Sequence, residues 1–497
     1  LEINTTGSDN VAVGDYALYN NTTASYNVAV GKDALLSSTT GQRNVAIGYN
    51  AMDEATTGSD SVAVGHAAGH SVTTGIENTF VGYYAGGETT TTNYNVAVGA
   101  SALQSNTTGS QNVAMGRAAL YANTTASNNT AFGHHSLYAN TTGTGHAGLG
   151  QGALEANTTG TNNTGIGQVA LTANTTGASN VAVGRAALTA NTTADNNTAI
   201  GMNALLANTT GTENVAVGTI ALDANTTTSY NVALGYNAGG ANTADHNTFV
   251  GRYAGAANTT GANIVVVGSG ALATNTTGDD NTAIGKGAEA LGANTTADSN
   301  TAVGRNALGA TTTGASNAAF GATTLDANTT GSNNTGIGKD ALTENTTGAN
   351  NTAVGTFALN NNTTASDNTA VGKNTLSAIT TGPGNSAFGG TAGDALTTGA
   401  DNVLIGYAAG TTDTNLITGS SNVLVGAYTE VGATDCAGAL VLGYNVTGAE
   451  GYTTLGNSGN DIRAAHGTAS WSTVSDERVK KDIEDSTVGL SFINDLR

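Results

Sequence analysis

His134, His135 and His146 are the closest this chain comes to a set of metal ligands, since a chain that winds on itself could bring them together from neighbouring turns. Imidazole is a frequent ligand of divalent transition metals. No regular partner for them recurs elsewhere, so the three read as solvated surface histidines, and neither metal nor cofactor is expected. Gly143-Thr144-Gly145-His146-Ala147-Gly148 fits the G-x-G-x-x-G dinucleotide fingerprint. That fingerprint works only between a strand and a helix, and here it lies inside a repeat, so the match is accidental. The aspartates are too irregular for a Gly-Gly-x-Gly-x-Asp calcium repeat.

Asn4, Asn106, Asn123 and Asn157 each open an Asn-Thr-Thr sequon, an N-glycan acceptor in a secreted eukaryotic protein. The same residues are turn formers, and the turn reading is sufficient. Repeated Thr also suits an ice-binding face, but consecutive Thr in a turn would present only one of each pair. Tyr49, Tyr83, Tyr236 and Tyr407 each follow a periodic glycine. They could stack on sugars, although filling grooves between coils is the commoner use.

What must position all of these is a repeat. Gly14, Gly31, Gly48 and Gly65 begin a seventeen-residue step that runs without a slip to Gly235, nearly always closing an Asn-x-Ala-x-Gly pentapeptide. The step resumes through Gly251, Gly268 and Gly285, then from Gly304 to Gly406. A fixed short period means one unit stacked on copies of itself.

Asn27-Val28-Ala29-Val30-Gly31 alternates as a strand does, with Val28 and Val30 on one face and Ala29 on the other. The slot of Val30 is always apolar, as Ile47, Met115, Phe132 and Leu149 show, while that of Val28 also accepts Thr. The middle slot is mostly Ala or Gly, so something packs closely there; Phe80, Phe249 and Leu404 are exceptions where the neighbouring surface must give way. Small residues followed by Leu18, Leu35 or Leu120 supply a second buried corner, and Asn-Thr-Thr-Gly supplies a turn. The expected fold is all-β: an elongated β-solenoid with one or two short strands per coil. The Asn opening each pentapeptide should form a ladder, amide to amide. Because so few inward positions must order seventeen residues, three chains are expected to wind together and share a core.

Composition agrees. The 497 residues include 70 Gly but one Pro and 10% charged residues, which excludes collagen, and the fixed phase of Val, Ile and Leu excludes a disordered linker. A net charge of −21 with 14 basic residues is unsuited to nucleic acid. No segment approaches the ~18 apolar residues of a membrane span, so no insertion is expected. Cys436 is alone and can form no intrachain disulfide. Leu1 opens the chain without a signal-peptide pattern, and an attachment domain is expected ahead of it. The period breaks between Gly235 and Gly251, around Glu289-Ala290-Leu291 and around Leu416-Ile417-Thr418; these are expected to be bulging loops that also pin register.

Residues 1–456 thus form the repetitive shaft, 457–474 a connector, and 475–497 a different, charge-dense segment. Trp471-Ser-Thr-Val-Ser-Asp-Glu-Arg-Val-Lys-Lys-Asp-Ile carries an S-D-x-R-x-K-x-x-I spacing. It resembles the start of the intramolecular chaperone domain of phage tail fibres and endosialidase tailspikes, the S74 peptidase family. The repeats are similar to those preceding such domains and, more distantly, to the head repeats of trimeric autotransporter adhesins. The resemblance implies a homotrimer templated by the C-terminal domain, which then cuts itself free. It assigns a Ser–Lys dyad to Ser475 and Lys480, with Asp476 first in the released piece. A Lys acts as base only when burial lowers its pKa.

The expected function is that of a virion tail fibre reaching a host-surface receptor, a glycan above all, and joined to baseplate or tail proteins through the expected N-terminal region. It is expected not to be an enzyme beyond that single self-cleavage. A bacterial trimeric adhesin and a polysaccharide-degrading tailspike are the alternatives, and the latter would need a carboxylate pair in a groove.

Overall fold

The structure is a computed structural model describing residues 2–286 and 290–468, with the backbone of Ser472–Val474. Among the described residues every regular element is a strand. The chain divides into two units, Leu1–Ser299 and Asn300–Arg497.

The first unit is a β-solenoid with one strand per coil, from Val11–Val13 to Thr282–Ile284. Each strand pairs in parallel with its equivalent one coil on, so that Val11 meets Val28 and Ala12 meets Ala29, then Val28 meets Val45. Like therefore stacks on like. After each strand comes the periodic glycine, and its reason is geometric. Gly31 has φ of 131°, and a Cβ there would lie 2.4 Å from the carbonyl oxygen of Gly48. The chain then curls through two left-handed non-glycine residues, Asp33 and Leu35, and a third, Arg43, precedes the next strand. Left-handed backbone costs an L-residue roughly 1–2 kcal/mol. Coil-to-coil hydrogen bonds offset it: Asp33 N donates to Asp15 O and Leu35 N to Ala51 O.

Which face turns inward is the main finding. Ala29, Ala34 and Leu35 are fully buried with Asn27, whereas Val28 and Val30 stand half-buried on the outer face. The coil is too narrow for more than Ala, Ala and one Leu. Each chain closes a small core of its own, and the aliphatic columns expected to line a core shared among chains lie outside it. Where Leu gives way to Gly69 and Gly86, Phe80 replaces the middle Ala and fills the space; Phe249 does the same between Gly239 and Gly255.

Two Asn ladders run through the buried interior. In the pentapeptide ladder, Asn27 Oδ1 accepts from the backbone N–H of Asn44 at 2.9 Å, and its Nδ2 donates to Gly41 O. This is chiefly side chain to backbone. Several coils also bond amide to amide there, as expected, Asn180 Nδ2 donating to Asn163 Oδ1 at 3.2 Å and Asn402 Nδ2 to Asn385 Oδ1 at 2.9 Å. A second amide-to-amide ladder runs along the Asn-Thr-Thr turn, where Asn123 Nδ2 donates to Asn106 Oδ1 at 2.8 Å and Asn140 to Asn123 at 3.0 Å. The missing residue before Gly251 is absorbed in that turn: Asn242 Nδ2 reaches Ala244 O, and strands on either side keep register.

The second unit repeats the design from Thr301–Val303 to Val423–Val425. The insertion around Leu416 is held down, its Leu416 buried and its Thr412, Asp413 and Thr414 bound to Glu430. A second small parallel sheet joins Glu430–Val431 to Thr447–Gly448. After Tyr452–Asn457, the region expected to be a plain connector turns antiparallel through Asp461–Ala465 and Ser472–Val474. Parallel stacking stops there.

Candidate functional site

Outside the core, the surface is organised in columns, because position in the coil fixes position on the surface. The column just before the periodic glycine is apolar in every coil. Its side chains range from half-buried, as at Val30 and Val64, to exposed: Ile47 is 39% exposed, Phe132 54%, Ile337 43% and Leu442 49%. Two positions earlier a second half-exposed column holds mostly Val or Thr, such as Val45 and Thr130, with Ala147, Ser386 and Leu440 among the exceptions. Aliphatics kept at one phase make contiguous apolar surface, unlike apolar residues scattered singly.

The column just after the glycine carries aromatic and basic groups. Tyr49, His66 and Tyr83 form a ladder with centroid spacings of 5.3 and 5.2 Å, and Tyr84 meets Tyr83 edge-on at 5.0 Å. Tyr407, Tyr428 and Tyr444 make a second, edge-to-face series. His66 and Tyr83 are stacked on one another, so those ring faces are turned toward a neighbouring ring and not toward a sugar.

The three histidines separate. His134 and His135 stack at 3.9 Å, with Arg117 against His134 and Glu155 against His135. His146 is not a surface residue at all. It occupies an Asn rung of the pentapeptide ladder, buried, with Nε2 donating to Gly160 O at 2.8 Å and Nδ1 accepting from Asn163 N at 3.2 Å. The ring thus copies the acceptor and donor of an Asn amide, and burial pushes its pKa below the ordinary value. Among the described residues no group of three or more His, Cys, Asp or Glu is placed to hold a metal ion. His70 Nδ1 meets Asp53 Oδ1 across adjacent coils; burial pushes the Asp53 carboxyl up, against the hydrogen bond with His70.

The sequons resolve as structure. Asn106, Asn123 and Asn157 are fully buried with their amides hydrogen-bonded, and Asn4 Nδ2 is bound to Gly7 O. A glycosyltransferase cannot reach such nitrogens in the folded chain. The first Thr of each pair donates Oγ1 to the next coil, Thr107 to Thr124 O and Thr124 to Thr141 O, while the second, such as Thr108 and Thr125, stays exposed.

Ser475, Asp476 and Lys480 lie outside the described residues. The strand Ser472–Val474 ends just before them, Val474 being paired with Asp461. Compared with known proteins, the chain matches no protein-family model and no curated sequence. Among the described residues no helix is long and apolar enough to cross a membrane. The sequence shows the slot before each glycine to be apolar but not that it faces outward, since alternation reveals two faces without naming the inner one.

Proposed function

We propose that this chain is the shaft of a trimeric bacteriophage tail fibre that reaches a host-surface receptor. The observation carrying the reading is the apolar column before each glycine, retained in every coil although a single chain leaves it partly exposed. Burying it against other copies would be favourable by roughly 25 cal/mol for each Å² of apolar surface removed from water. The C-terminal Ser475-Asp476 segment supplies the phage setting through its resemblance to the tail-fibre chaperone. A uniform stack needs such a device. Its coils can pair in many slipped registers, and a C-terminal clamp starts three chains together.

Once the chaperone is removed, the fibre would persist by the height of its unfolding barrier. Native mass spectrometry before and after denaturation tests the proposal. Three chains per particle, each shortened after Ser475, is the expected result, and full-length chains for Ser475→Ala. A monomer at micromolar concentration overturns the fibre reading. Membrane-anchored display on a bacterial surface would transfer it to an adhesin, and depolymerisation of host polysaccharide to a tailspike.

A further inference from the structure

The apolar face has two flanks, and they carry opposite charge. In residues 1–299 five of the six Lys and Arg (Lys32, Arg117, Arg185, Arg252 and Lys286) sit in the single column just after the glycine, all exposed; the sixth is Arg43. Only one carboxylate, Asp15, shares that column. Two or three residues ahead of the strand, on its other flank, stand Asp60, Glu77, Asp195, Glu213, Asp245 and Asp280, also exposed. Arg43 is on that flank too, but it is tied to Asp60 of the next coil, its Nη2 donating at 2.8 Å. Lys32 has the Asp33 carboxylate of its own coil at 3.9 Å, whereas Arg185 touches the Met202 sulfur at 3.7 Å and Arg252 lies over the Tyr253 ring at 4.7 Å.

In two coils both flanks are charged. Asp245 and Arg252 bracket the same strand, Thr248–Val250, and Asp280 and Lys286 bracket Thr282–Ile284. We propose that the outer sheet face of residues 1–299 is a self-association face specific for parallel, in-register copies, the basic flank of one chain seating against the acidic flank of the next. This rests on the reading that copies associate through their apolar columns.

Symmetry makes the argument. Copies related by rotation about an axis parallel to the stack bring the post-glycine flank of one chain to the pre-strand flank of its neighbour. Antiparallel copies facing each other bring like flank to like flank, basic to basic and acidic to acidic. Apolar contact alone does not distinguish the two, because it is non-directional. A single rim pair in water is worth little, but like-charge juxtaposition along a whole edge penalises the wrong partner, and such charges act mainly on specificity and association rate.

The test uses the full chain in low salt with three variants. Arg185→Glu with Arg252→Glu reverses one flank, Asp195→Lys with Asp245→Lys reverses the other, and the third variant carries all four changes. Sedimentation equilibrium should show each single-flank reversal weakening assembly roughly tenfold or more, with the fourfold exchange restoring it. In a Cys436→Ser background, Asn263→Cys with Ser269→Cys should cross-link neighbouring copies at one level through a short bis-maleimide. Associating copies that are indifferent to the reversals, or that fail to cross-link at one level, overturn this inference and leave self-association standing. A parent chain that never associates overturns both.

Discussion

Phe80 stands directly against Gly86, with an added Cβ at Gly86 falling 2.4 Å from the ring. Gly69, one coil earlier, faces the same ring, where an added Cβ would lie 2.8 Å from it. One aromatic side chain thus fills the places of two missing leucines, and the solenoid keeps its interior volume while exchanging which position supplies it. Cores tolerate volume-conserving exchange far better than deletion or overpacking.

Phe80→Ala should therefore cost about 3–5 kcal/mol locally, and Gly86→Leu alone should also destabilise by overpacking. Combining Phe80→Ala with Gly69→Leu and Gly86→Leu rebuilds the ordinary Ala–Leu coil and should recover most of the loss. Hydrogen-exchange protection between residues 62 and 103 is the suitable measurement, because a stacked array does not unfold as one two-state unit.

His146 predicts a local acid sensitivity. Its pKa is depressed by burial, so the ring is neutral in the native coil and its Nδ1 receives the Asn163 amide. The unfolded ring binds a proton near pH 6.5. Its stabilising contribution is therefore full above that pH and declines as pH falls from there toward the depressed native value. Exchange protection around Asn129 and Asn163 should drop between pH 7 and pH 5 in the parent. With His146→Asn, which restores the ladder residue, that drop should vanish.

Glu430 predicts a second pH effect at the insertion in the second unit. Burial pushes its carboxyl up, but hydrogen bonds from the Thr447 and Thr412 hydroxyls and from Thr414 N and Asp413 N outweigh this and hold it below the ordinary value. The contribution is present above the unfolded Glu pKa, about 4.3, and is lost as pH falls through the lower native value. Glu430→Gln should release residues 411–416 to limited proteolysis at neutral pH, while the strands on either side remain protected.

Ser38 interrupts the turn ladder: its hydroxyl is buried without a partner, and so is Asn21 Oδ1 one coil before it. Ser38→Asn should supply the missing donor and stabilise these coils by about 1 kcal/mol, seen as slower exchange of the amides between residues 18 and 44. Asn140→Ala should do the reverse, removing the donor to Asn123 Oδ1 and Gly143 O at a cost of about 1–3 kcal/mol.

The period, the alternation at Val28-Ala29-Val30 and the obligatory Gly31 were enough by themselves to determine a β-solenoid of seventeen-residue coils, since each is a local demand of backbone geometry. The turn at Asn-Thr-Thr was legible for the same reason. Tertiary structure alone decided that Ala29 points in and Val28 and Val30 out, because alternation is symmetric and only the narrow radius of the closed coil breaks the tie. It alone placed His146 in a buried rung, since a ring imitates an amide only where a donor and an acceptor are already fixed one coil away. The same closure gathered Arg185 and Arg252 on one flank and Asp195 and Asp245 on the other, residues that the linear chain intermingles.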